Sequence, residues 1–182
     1  FHDWNQRVDA ECYRPNAERG TLRAISWDLG PTLAGWLATE DPATHARFVA
    51  DSAPAIAQAY HHAILPLASV ADRRTEIAWG IRDFELRFGR RPLGLWLPET
   101  AVDIATLRET ARQGIAFTIL APWQAEGAID TRQLYRVDLG DDRSIVCAFY
   151  DAGLSSAVSF EPDATSDADR FARERVVPRL GG

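Results

Sequence analysis

Glu99 stands at the end of Leu93-Gly-Leu-Trp-Leu-Pro98, an apolar run that delivers a single carboxylate just before a helical pattern begins. Leu93, Leu95 and Leu97 alternate with Gly94 and Trp96 as a short buried strand does. Pro98 has no N–H to give a ladder and closes that strand. A carboxylate at the C-terminal end of a strand, ahead of a helix, occupies the place where β/α barrels keep their reacting groups. The helix that follows presents its positive end to such a group, which favours the ionised form and suits a nucleophile or base better than an acid. The competing reading is a first-turn carboxylate that only complements the helix dipole, and position alone does not separate the two.

Two other groups have the type and spacing for chemistry. His61 and His62 precede Ile64-Leu-Pro-Leu67 and could ligate a metal, but no nearby Asp, Glu or Cys completes a set, so no metal and no cofactor is expected. Asp151 ends an apolar run at 144–150, a strand-end address like that of Glu99. It reads equally as a turn-initiating Asp before Gly153.

The elements that must position these residues alternate between strand and helix. Leu22 to Leu29 has strand-like alternation, and Gly30-Pro31 turns into a short helix over Thr32 to Leu37. Thr44 to Tyr60 reads as helical. Asp72 to Phe88 is the clearest helix, with Ile77, Ile81, Phe84 and Phe88 at helical spacing and Gly89 as its stop. A second helix is expected over Ala101 to Gln113, with Val102, Leu107 and Ala111 on one face and Gly114 ending it. Ile115 to Leu120 reads as a buried strand, followed by a turn at Ala121-Pro122-Trp123-Gln124. Leu134 to Leu139 and Ser144 to Tyr150, joined by Gly140-Asp-Asp-Arg143, form a hairpin pattern. Ser166 to Leu180 reads as a closing helix, and the final Gly181-Gly182 as an appended scar. The alternation predicts an α/β fold with a mainly parallel sheet and flanking helices, all of residues 1–182 belonging to one domain.

Composition narrows the function classes. A chain of 182 residues, 46% hydrophobic and 25% charged, can build one sizeable core. No apolar run reaches the length of a bilayer span, and the first residues lack a signal-peptide layout, so neither a membrane segment nor a leader is expected. A net charge of -6 argues against nucleic-acid binding, which relies on a basic surface. All twenty basic residues are Arg, which reads as the codon bias of a GC-rich genome. Cys12 and Cys147 have no metal spacing and are too few for a disulfide framework; free thiols in a cytoplasmic protein are the expectation. The sequence opens on Phe1 and contains no Met, which points to a piece of a longer product.

A set of ordered segments then carries a resemblance. They are His2-Asp-Trp-Asn5, Glu11-Cys-Tyr-Arg-Pro-Asn-Ala17, Leu29-Gly-Pro-Thr-Leu33 and Gln58-Ala-Tyr-His-His-Ala-Ile-Leu-Pro-Leu67, then Trp79-Gly-Ile-Arg-Asp-Phe-Glu-Leu-Arg-Phe-Gly-Arg-Arg-Pro92, Trp96-Leu-Pro-Glu-Thr-Ala101 and Phe117-Thr-Ile-Leu-Ala-Pro122. Over residues 1–180 the chain resembles the middle of a glycoside hydrolase family 57 catalytic domain, in a bacterial subgroup. The resemblance implies a distorted (β/α)7 barrel, here incomplete, acting on α-glucans. It places Glu99 at the catalytic nucleophile and His62 at a sugar subsite; His61 stands where relatives carry Asn. Nothing before His2 matches the family's His-Gly-His-type first strand, and no Asp-Gly-Glu-type motif with the general acid is present. The acid is therefore expected outside this chain, the barrel open, and its free sheet edge available for self-association.

Under that resemblance the remaining candidates take roles in substrate binding. Asp28, where relatives have Asn, could hydrogen-bond a sugar hydroxyl. Trp27 and Trp123 flank strand ends and could stack on the apolar face of a glucose ring, while Trp96 lies on the opposite strand face from Glu99 by parity. Core packing is the alternative for each indole. Asp151 is the one internal alternative to the missing acid. Two functions follow: a retaining α-glucan hydrolase, glucanotransferase or branching enzyme domain with Glu99 as nucleophile, or a non-catalytic carbohydrate-binding or assembly module on the same fold.

Overall fold

The computed structural model describes residues 1–180; Gly181 and Gly182, read above as an appended scar, lie outside the described residues. The chain opens with α1 (Trp4–Val8), which passes through a π turn at Asp9–Tyr13 into α2 (Arg14–Glu18). There follow β1 (Trp27–Asp28), α3 (Pro31–Glu40), α4 (Pro42–Ala50), β2 (Ala55–Gln58), α5 (Val70–Phe88), β3 (Leu95–Trp96) and α6 (Ile104–Arg112). The second half consists of β4 (Phe117–Leu120), β5 (Leu134–Gly140), β6 (Arg143–Phe149), α7 (Ala152–Phe160), α8 (Ala168–Phe171), another π turn at Ala172–Val176 and α9 (Val177–Leu180).

β1, β2 and β3 form one parallel sheet in that order; β4 and β6 pair in parallel in a second, with β5 antiparallel at its edge. A single bridge from Gly94 to Phe117 joins the two, reinforced by the buried Thr118 hydroxyl donating to the Leu95 carbonyl at 2.8 Å. The fold is the expected α/β arrangement of a mainly parallel sheet with flanking helices, and among the described residues the strands do not close into a barrel.

The main core lies between this sheet and helices α5 and α6. Ile77, Ile81 and Phe84 of α5 are buried with Leu95, Leu97, Leu107, Ile145 and Cys147. Each such side chain contributes roughly 1.5–3 kcal/mol through its removal from water. α5 starts where the Ser69 hydroxyl accepts from Asp72 N at 3.1 Å and stops where Gly89 turns left-handed, close to the predicted bounds. A second cluster, with Leu22, Leu37 and Phe48, packs the N-terminal helices together. Both cysteines are free: Cys12 is exposed and Cys147 is buried, and burial pushes the Cys147 thiol up to about 11.

Four expectations need correction. The helix read over Thr44 to Tyr60 ends at Ala50, and Ala55–Gln58 is the central strand β2. Ala-rich sequence favours helix on propensity, but a parallel strand buried on both faces carries no alternation, and burial between β1 and β3 overrides the propensity. The strand read over Leu22 to Leu29 shrinks to Trp27–Asp28, because Thr21–Arg23 coils into a 3-10 turn. α6 starts three residues later than expected, at Ile104, with Asp103 as its cap: the Asp103 carboxylate accepts from Thr106 N at 2.6 Å. Asp103, and not Glu99, therefore complements the α6 dipole. The closing helix is shorter than Ser166 to Leu180, beginning at Ala168, and it is preceded by α7, for which the sequence reading had no counterpart.

Candidate active site

The C-terminal ends of β1, β2 and β3 bring together Asp28, Gln58, His62 and Glu99. Parallel pairing puts these ends on one side of the sheet, with Asp28 opposite Ile56 and Gln58 opposite Trp96. Beyond β3, Pro98–Thr100 makes a tight 3-10 turn in which Glu99 has φ 55° and ψ 20°. Thr100 follows with φ 51°. Two successive residues in the left-handed region with ordinary side chains are unfavourable, and the surrounding bonds hold them there. Thr100 N donates to Leu97 O at 2.8 Å, Ala101 N to Pro98 O at 3.0 Å, and the Gln124 amide donates to Thr100 O. The Thr100 side is buried, so the turn projects the Glu99 carboxylate outward, with its side chain 75% exposed.

The two histidines after β2 diverge. His61 turns to α5, where its Nδ1 lies 2.7 Å from Glu76 Oε1 and its backbone N donates to Glu76 Oε2 at 2.8 Å. His62, at φ 58°, swings toward β3 and sets its Nε2 3.7 Å from Glu99 Oε1. Its Nδ1 lies 3.0 Å from the Gln58 side-chain amide, whose nitrogen also reaches Asp28 Oδ2 at 3.3 Å and whose oxygen accepts from Gly30 N at 2.7 Å. The result is a line of polar contacts from Asp28 through Gln58 and His62 to Glu99. Asp28 is exposed as a residue, yet the protein packed around it desolvates the carboxylate and raises its pKa, with the nearby His62 pulling the other way.

Close approach of glycines makes this line possible. A Cβ on Gly30 would overlap the Gln58 amide, and one on Gly80 of α5 would overlap the Gln58 carbonyl oxygen. Both elements thus press on the end of β2.

The other expected site residues lie elsewhere. Trp27 packs edge-on against Phe48 and Phe88, with centroids 4.9 and 5.8 Å away, and its N–H donates to Leu22 O at 3.0 Å. That is the environment of a core ring. Trp123, just past β4, is 70% exposed and lies perpendicular to the Tyr150 ring, with centroids 5.9 Å apart. Asp151 caps α7, accepting from Leu154 N at 2.8 Å, and pairs with Arg179 at 3.0 Å. Gln58 was missed by sequence reasoning. Its signal was a polar residue ending the apolar Ala55-Ile-Ala57 run four positions before His62, legible only once that run is read as a strand. Among the described residues no group of three His, Cys, Asp or Glu could hold a metal ion.

This geometry places a carboxylate and an imidazole at the strand ends of an α/β sheet, and the glycosyl hydrolase family 57 model matches residues 54–179, which include both. The chain belongs to glycosyl hydrolase family 57. Solved structures of larger proteins share the fold. The 4-alpha-glucanotransferase from Thermococcus litoralis superposes with a TM-score of 0.73 at 15% identity, over 91% of this chain and 28% of that one. A novel exo-type maltose-forming amylase from Pyrococcus sp. ST04 gives a TM-score of 0.78 at 18% identity, over 97% of this chain and 31% of that one. The family 57-type branching enzyme from Pyrococcus horikoshii gives 0.51 at 20% identity, over 68% of this chain and 27% of that one. The family 57 chain described here therefore spans under a third of the length of each of these structures. No curated protein matches it.

Proposed function

We propose that this chain carries the nucleophile side of a retaining, α-glucan-active family 57 domain, with Glu99 as the nucleophile. What supports the reading is Glu99 itself: an exposed carboxylate held in a left-handed turn at the end of a parallel strand, facing His62. In that role Glu99 attacks the anomeric carbon and forms a covalent glycosyl-enzyme, while a second carboxyl group protonates the departing oxygen. Attack by water on this intermediate gives hydrolysis; attack by a glucan hydroxyl gives transfer. His62 and Asp28 line the same rim and would hydrogen-bond sugar hydroxyls. Trp123 offers an exposed indole for stacking, whereas Trp27 is taken up by its aromatic neighbours. Asp151 is tied to α7 and Arg179, so the proton donor is assigned to residues beyond this chain.

Treatment of the full gene product with a 5-fluoro-α-glucosyl fluoride, followed by peptide mass spectrometry, tests the assignment. The label is expected on Glu99, and Glu99→Gln is expected to lower turnover by roughly 10⁴-fold or more with folding unchanged. A label on another carboxylate, or near-normal turnover in Glu99→Gln, overturns it.

A further inference from the structure

The contacts of the Gln58 side chain favour one orientation of its amide. One end of its amide lies 2.7 Å from the backbone N–H of Gly30, which can only donate, so that end is the oxygen. The other end is then the nitrogen, with two N–H bonds and two acceptors within reach: Asp28 Oδ2 at 3.3 Å and His62 Nδ1 at 3.0 Å. The reverse orientation would set the amide nitrogen against the Gly30 N–H and the amide oxygen against the Asp28 carboxylate. Neither contact is a hydrogen bond, and the second is repulsive; the reverse orientation keeps one hydrogen bond, from a protonated His62 Nδ1 to the amide oxygen, against three in the favoured one.

The geometry points to Gln58 as a positioning residue that fixes the tautomer of His62 and thereby aims an N–H at Glu99. If Gln58 donates to Nδ1, then Nδ1 carries the lone pair, and the single proton of the neutral ring sits on Nε2. Nε2 is the atom that faces Glu99 Oε1 at 3.7 Å. Glu99 therefore faces a donor and not a lone pair. The Gly30 N–H fixes which end of the amide is the oxygen, so the tautomer is set by the backbone at the α3 entry rather than by the histidine itself. The consequence for catalysis rests on Glu99 being the nucleophile; the tautomer does not.

The chain contains four histidines, few enough to assign individually by long-range ¹H–¹⁵N correlation at mildly alkaline pH. His62 is expected to show an unprotonated Nδ1 and a protonated Nε2, with a scalar coupling across the hydrogen bond from the Gln58 amide nitrogen to His62 Nδ1 in the unsubstituted protein. Gln58→Glu replaces the donor with an acceptor, and the His62 pattern is expected to invert to a protonated Nδ1. A protonated Nδ1 in the unsubstituted protein, absence of the coupling in spectra where other side-chain couplings are resolved, or an unchanged pattern in a folded Gln58→Glu protein each overturns the proposal. The coupling needs no variant, so the test survives if Gln58→Glu fails to fold. Failure of Glu99→Gln to affect turnover, with the tautomer confirmed, would remove the nucleophile reading alone.

Discussion

The two sheets solve different problems. In β4-β6-β5 the strands β5 and β6 run seven residues each and exchange a long antiparallel ladder, and left-handed residues occur at Gly140, Asp141 and Asp142, where a tight hairpin demands them. In β1-β2-β3 the strands run two, four and two residues, and the left-handed residues His62, Glu99 and Thr100 fall past strand ends where no hairpin needs them. Regular backbone pairing stabilises the β4-β6-β5 sheet. The β1-β2-β3 sheet is held by helices and buried side chains, and its strain is concentrated at the candidate site.

The largest effects should come from breaking each half at its own support. Ile145 is 1% exposed in β6, and Ile145→Ala is expected to cost about 4 kcal/mol by leaving a cavity, read as a fall in denaturation midpoint. Its effect should be confined to stability, with the His62 and Glu99 resonances unmoved. Gly80→Ala is expected to cost about 3 kcal/mol because a methyl group there meets the Gln58 carbonyl, which is backbone and cannot swing away. Here the His62 resonances should shift as well, since the end of β2 must move. Equal disturbance of the site by both substitutions would erase the distinction between the halves.

A smaller effect tests the cap of α6. Burial raises the Asp103 pKa, but hydrogen bonds from Thr106 and the charge of Arg73 outweigh it, and the net shift is downward. A folded-state pKa below the unfolded value means that Asp103 stabilises the fold above the unfolded pKa, about 3.9, and loses that contribution as pH falls toward the folded value. Asp103→Ala is expected to cost about 1 kcal/mol at neutral pH. Asp103→Asn should keep most of the cap yet flatten the acid limb of the stability profile. An Asn variant with an unchanged acid limb would show that other carboxylates set it.

The same contrast explains what could be read from the sequence. α5 and the hairpin were legible because their patterns are one-sided: Ile77, Ile81 and Phe84 repeat at helical spacing, and Gly140-Asp-Asp-Arg143 separates two strand-like runs. β2 was not, because Ala55, Ile56 and Ala57 are buried on both faces and so show no period. Misreading β2 hid Gln58, since a residue's place at a strand end is visible only when the strand is. Glu99 was legible as a candidate through Pro98, which ends the strand from sequence alone. Its left-handed backbone was not, because nothing in Glu99-Thr100 favours positive φ; the burial of Thr100 and the bond from Gln124 impose it.

That imposed conformation supports the smallest and most specific prediction. A non-glycine residue in the left-handed region costs roughly 1–2 kcal/mol, and glycine avoids this while losing roughly 0.5–1 kcal/mol more backbone entropy on folding. Glu99→Gly should therefore stabilise the protein slightly, by up to about 1 kcal/mol, although it deletes the His62 contact, because a polar contact this long and exposed contributes little. Asp142→Gly, at φ 56° in the hairpin turn, should be closer to neutral, since Asp tolerates that region better than Glu does. Thermal denaturation of the two variants side by side makes the comparison. If Glu99→Gly is stabilised and turnover by the full gene product is lost, the turn after β3 holds a strained residue that stability alone would replace. If Glu99→Gly is destabilised instead, the Glu99 side chain contributes to the fold, and the idea that strain in this half is concentrated at the site fails.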